Sequence, residues 1–126
     1  MAKNRRNITD AELAVLKVLW EAGTLTAKAI TKTLYPECSE SDFASVHSFI
    51  QRLERKGLVE RDRSSFAHTF CAAVSRDEVA GKELEALADR LADGSMAPFL
   101  MHLVQEERLG EKEADEIRKL LKKRFG

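Results

Sequence analysis

Between positions 41 and 55, Ser41, Ser45, Ser48, Arg52 and Arg55 recur at steps of four, three, four and three residues. On an α-helix that spacing places all of them on one face. The face is small and hydroxylic at one end and basic at the other. Its chemistry is polar recognition: serine hydroxyls donate to or accept from base edges, and the Ala44 methyl can meet a thymine methyl. Arg52, Arg55 and Lys56 would then lie near phosphates. A face of this composition also suits plain solvation, so its meaning depends on the elements that hold it.

Other reactive side chains do not converge. His47, His68 and His102 fall on three different segments, and His68 and Cys71 are an odd number of residues apart on a strand, facing opposite ways. No metal site is expected, and no cofactor. Cys38 sits in a Pro-Glu-Cys-Ser loop beside Glu37 and Glu40, acidic neighbours that disfavour a thiolate, so Cys38 and Cys71 are read as free thiols. There is no glycine-rich phosphate loop, no HExxH and no nucleophile elbow, and the protein is not expected to be an enzyme.

The elements follow from caps and periodicity. Thr9-Asp10-Ala11-Glu12 has capping-box spacing ahead of Leu13, Leu16, Leu19 and Trp20, and Gly23 ends that helix. After an extended piece at Thr24-Leu25, Thr26 caps a short helix carrying Ala29, Ile30 and Leu34, which Pro36 terminates. Cap candidates at 39–42 open a third helix whose apolar stripe runs from Phe43 through Val46, Phe49, Ile50 and Leu53 to the stop at Lys56-Gly57. The period then changes to two: a strand over 58–63, a break at Ser64-Ser65, and a second strand over 66–74 with Phe66, His68, Phe70, Ala72 and Val74 on one face. Ser75-Arg76-Asp77-Glu78 is a further capping box, after which three helices carry apolar faces through Leu84, Leu87 and Leu91, then Phe99, Leu100 and Leu103, then Ile117, Leu120 and Leu121.

The expected fold class is mainly α with a small β-hairpin: a winged helix-turn-helix domain over 1–74 followed by a three-helix dimerisation domain over 75–126. Helix, helix, helix, hairpin is the order in which the third helix enters the DNA major groove and the hairpin is the wing. Arg61 and Arg63 on the wing and Arg5 and Arg6 in the N-terminal arm join the phosphate candidates. Bulk charge argues neither way, since 21 Lys and Arg balance 21 Asp and Glu. The C-terminal segment, about 50 residues, is marginal as an independent core, and its apolar faces fit a second copy of the chain, the alternative being a bundle packed back onto the winged helix in a monomer. The longest charge-free stretches, 64–75 and 94–105, fall well short of the roughly 20 residues that span a bilayer, and 1–7 lack a signal-type apolar run. With two cysteines and no CxxC, a cytoplasmic location and no membrane partner are expected, and the C-terminal apolar faces point to a homodimer.

The segments ITDAELAVLKVLWEAGTLTAKAI, SVHSFIQRLERKGLVER and VSRDE resemble the penicillinase-repressor family, also called BlaI/MecI/CopY, with the likeness running from Ile8 to about Leu121. The resemblance implies a dimeric repressor that binds inverted-repeat operators in double-stranded DNA, with the C-terminal helices as the dimerisation domain. The family's third helix usually carries threonines where Ser45 and Ser48 stand, so these and Arg52 take the DNA-contact assignment. Ser41 and Ala44 replace a common Trp and a basic residue, and Phe66 and His68 replace a common wing Arg and Tyr. The Asn-Phe bond cleaved in some members corresponds to His102-Leu103, and the C-terminal cysteine cluster of copper-responsive members has no counterpart. The inducing signal, an unknown sensor protein or a small molecule, stays open. So does the alternative of a winged-helix protein-interaction module that does not bind DNA.

Overall fold

In the computed structural model, which describes residues 8–126, local capping chemistry sets most helix starts. Thr9 Oγ1 accepts from the Glu12 amide at 3.1 Å and the Thr9 amide donates back to Glu12 Oε1 at 3.2 Å, opening α1 over Asp10–Ala22. Gly23, at φ +93°, ends it by donating to the Leu19 carbonyl, a backbone conformation that side-chain-bearing residues rarely adopt. Thr26 caps α2, Ala27–Leu34, and Ser39 with Asp42 forms a second capping box at the start of α3, Glu40–Arg55. A third box, Ser75 with Glu78, precedes α4, Arg76–Leu91.

The extended piece after α1 is a true strand. β1, Thr24–Thr26, pairs antiparallel with β3, Thr69–Ala72, which also pairs antiparallel with β2, Val59–Asp62, so β3 is the middle of a three-stranded sheet. The sequence gives β1 only three residues, too few for a period to register. Both wing strands are shorter than the alternation suggests. Phe66 does not join the inward face of Phe70; it lies in the wing loop, fully exposed at 105%. In register, Leu25, Phe70 and Arg61 occupy one side of the sheet, and Thr24, Cys71 and Glu60 the other.

One core organises these elements. Val15, Leu16 and Leu19 of α1, Ile30 of α2, and Val46, Ile50 and Leu53 of α3 pack with Leu58, Val59 and Phe70. Trp20 leans on this core and donates from Nε1 to the Val74 carbonyl at 2.8 Å, with the Arg76 guanidinium over its ring at 5.3 Å. Phe43, read as the start of the buried stripe, is instead exposed and stacks on His47 with centroids 6.1 Å apart.

The chain divides into two compact units, Met1–Leu84 and Glu85–Gly126. The second contains the end of α4, then α5, Ala97–Gln105, and α6, Glu111–Phe125. The α4 stop is built from Asp93 and Gly94, both at positive φ, with the Gly94 amide returning to the Ala88 carbonyl at 2.9 Å. Pro98 is accommodated in the first turn of α5, and Glu113 receives the Gly110 amide at the start of α6. Ala88 is buried in this unit, whereas Leu91 at 65%, Val104 at 62%, Leu120 at 66% and Phe125 at 81% face outward.

Candidate nucleic-acid interface

The candidate face stands on α3, whose opposite side is fixed by Val46, Ile50 and Leu53 in the core. Core anchoring at 46, 50 and 53 turns positions 44, 45, 48, 52 and 55 outward by helical geometry. Ala44, Ser45 and Arg55 are exposed, while Ser48 and Arg52 are half-buried. Arg52 Nη2 donates to Ser48 Oγ at 3.2 Å, and its guanidinium lies 5.4 Å from the Phe49 ring centroid. The arginine is therefore laid along the helix, with a hydroxyl and an aromatic ring setting its direction. Glu40 and Asp42 occupy the first turn, where acidic side chains complement the helix dipole, and Arg52 and Arg55 occupy the last.

Two of the basic residues assigned to phosphates from the sequence are engaged inside the fold. Lys56 Nζ stands 2.6 Å from Glu12 Oε1, with the lysine side chain 17% exposed and the glutamate 1%. Arg61 is held from three sides: Nε and Nη2 form a fork onto Glu54 at 3.0 and 2.7 Å, Nη1 lies 3.2 Å from His68 Nδ1, and the guanidinium rests 4.9 Å from the Phe70 centroid. Since arginine has no acceptor, His68 Nδ1 receives that hydrogen bond. The Arg61 hydrogen bonds hold the Glu54 carboxyl below the usual carboxylate range, with the charges of Arg61, Arg63 and His47 adding to them and burial opposing. The same fork raises the Arg61 value.

Arg63 is exposed at the base of the wing loop. That loop is braced by Asp62 Oδ1, which accepts from the Ser64 amide at 2.8 Å, and by Ser65 Oγ, which donates to the Ala67 carbonyl at 3.0 Å. Hydrogen bonding from Ser64 lowers the Asp62 value. Arg5 and Arg6 lie outside the described residues. The Glu12–Lys56 and Glu54–Arg61 pairs leave no signal in the sequence: the first joins residues 44 apart, and the second crosses the helix-to-strand turn, where no periodic rule applies.

Of the residues assigned to dimerisation, Leu84, Leu91, Leu100, Leu103, Leu120 and Leu121 are exposed, and Leu87, Phe99 and Ile117 are half-buried. Among the described residues no three His, Cys, Asp or Glu side chains cluster to hold a metal, and no helix is long and apolar enough to cross a membrane.

Three helices and a small antiparallel sheet, with α3 leading directly into the β2–β3 hairpin, define a winged-helix protein. Residues 8–123 match the penicillinase repressor family, and the chain belongs to that family of transcriptional repressors. It is 36% identical over 123 residues to the transcriptional regulator BlaI of Mycobacterium tuberculosis, covering 96% of this chain and 86% of that one. It is 24% identical over 123 residues to the penicillinase repressor of Staphylococcus aureus, covering 96% and 95%, and 21% identical over 117 residues to the methicillin resistance regulatory protein MecI of the same organism, covering 93% and 94%. Among solved structures it resembles the YusO protein from Bacillus subtilis, with a TM-score of 0.50 and 26% identity, over 97% of this chain and 77% of that one.

Proposed function

We propose that this protein is a dimeric transcriptional repressor that binds an inverted-repeat operator in double-stranded DNA, with α3 in the major groove and the wing beside it. The observation that carries the reading is the outward Ala44, Ser45, Ser48 and Arg52 face of α3, held by the core directly ahead of a wing, in a chain of a repressor family. Ser45 and Ser48 supply hydroxyls for base edges, Ala44 a methyl, and Arg52 a guanidinium already aligned along the face by Ser48 and Phe49. Phosphate contacts fall to Arg55 and Arg63, which are exposed, rather than to Lys56, whose ammonium is paired with Glu12.

Residues 1–74 form the DNA-binding part of this reading and 75–126 the dimerising part. The exposed leucines of α4, α5 and α6 favour a second copy as their cover, since a monomer would leave this apolar surface in water. A two-fold dimer then presents two copies of α3 about 34 Å apart, one DNA turn, as an inverted repeat requires.

The test is fluorescence anisotropy of a labelled duplex from the region upstream of the protein's own gene, against a scrambled duplex, across a salt series. Tighter binding to the native duplex that weakens steeply with salt is the expected result. Equal, weak and salt-insensitive binding to both duplexes would favour a protein-interaction module instead.

A further inference from the structure

Arg61 stands where a wing arginine would be expected to reach a phosphate, yet each of its three guanidinium nitrogens and one flat face are engaged by neighbours within the domain. Glu54 closes both ends of a bidentate fork on it, His68 accepts from its remaining nitrogen, and Phe70 lies under the guanidinium. These partners come from separate elements: Glu54 from the last turns of α3, Arg61 from β2, Phe70 from β3, and His68 immediately before β3. A planar fork satisfied in this way fixes orientation as well as distance, which a lysine could not do.

We propose that Arg61 is a positioning residue for duplex binding, not a phosphate contact: through Glu54, His68 and Phe70 it locks the wing to the end of α3, so that helix and wing meet the duplex as one rigid unit. The inference rests on the operator reading given above and extends it by assigning the geometry of the wing to one side chain. It also separates the wing's two arginines. Arg63, exposed at the loop, neutralises phosphate, whereas the Arg61 charge is met by Glu54 before any DNA arrives. A pre-set wing angle favours the one duplex whose groove geometry fits and adds little to sequence-independent attraction.

The test compares the full-length protein with Arg61→Gln, Arg61→Lys and Arg63→Gln on the native upstream duplex and its scrambled counterpart across a salt series, alongside amide hydrogen exchange without DNA. Arg61→Gln should bind the native duplex about tenfold more weakly with the wild-type salt slope, leave scrambled binding unchanged, and speed exchange in β2 and β3 but not in the α1 and α3 core. Arg61→Lys should behave like Arg61→Gln, because an ammonium cannot close the fork. Arg63→Gln should instead make the slope shallower by about 0.9 on both duplexes. A shallower slope in Arg61→Gln that Arg61→Lys restores would make Arg61 a phosphate contact and overturn the proposal, as would unchanged exchange in β2 and β3. If Arg61→Gln does not fold, Glu54→Gln decides. Lost discrimination with faster wing exchange supports the lock, and tighter binding to both duplexes overturns it. Wild-type protein that binds neither duplex removes the operator reading, while the exchange rates still decide the lock.

Discussion

Glu12, in the first turn of α1 and wholly buried, takes an ionic hydrogen bond at 2.6 Å from Lys56, the residue that caps the far end of α3. One carboxylate thus closes the capping box of α1 and ties down the C-terminus of α3. Its Oε2 atom has no hydrogen-bond partner, so the ion pair carries most of the compensation for burying this charge.

Removing only one member of that pair should be costly. Lys56→Met is expected to lower stability by about 3 kcal/mol in urea unfolding, because it strands a buried carboxylate. Glu12→Gln in the Lys56→Met background should recover a large part of the loss. Additive losses in the double variant would show that the two residues act independently.

Trp20→Phe keeps an aromatic side chain but replaces the indole with a smaller phenyl ring and removes the N–H that reaches the Val74 carbonyl at 2.8 Å. The expected cost is about 1 to 2 kcal/mol at the point where β3 hands the chain to α4. A urea midpoint unchanged from wild type would show that this bond adds nothing to stability.

The lowered Glu54 value sets a pH dependence. A carboxyl with a folded pKa below its unfolded one binds fewer protons when folded, so its stabilisation is present above the unfolded value and lost as pH falls through the folded value. The stability difference between wild type and Glu54→Gln should therefore hold from neutral pH down to the ordinary carboxylate range and shrink below it. A difference that instead grew in acid would contradict the assignment.

Leu120 is 66% exposed on α6, so a charge there should disturb little within its own chain. Leu120→Asp is expected to halve the mass measured by light scattering while the helical circular dichroism persists. An unchanged mass would count against Leu120 as part of the proposed dimer interface.

What could be read from the sequence was mostly local. Thr9 with Glu12, Ser39 near Asp42, and Ser75 with Glu78 announce helix starts because each cap closes within three residues. The inward stripe of α3 follows from period, and its outward face with it. The ion pairs did not follow, since partners such as Glu12 and Lys56 meet only once three helices have packed. Glu54 and Arg61 looked like neighbouring surface charges, and only the turn at Gly57, at φ +77°, brings β2 back alongside α3. Phe66 misled for the opposite reason: it continues the alternation of Phe70 and His68, but strand pairing stops at Thr69.

Because β3 is flanked on both sides, the sheet has only two open edges, β1 with three residues and β2 with four. An edge that short gives another chain little backbone to pair with, and β2 adds Glu60, Arg61 and Asp62 along it. A protein with so much apolar surface on its C-terminal helices can therefore associate through those side chains without also offering a ladder on which copies could stack without end.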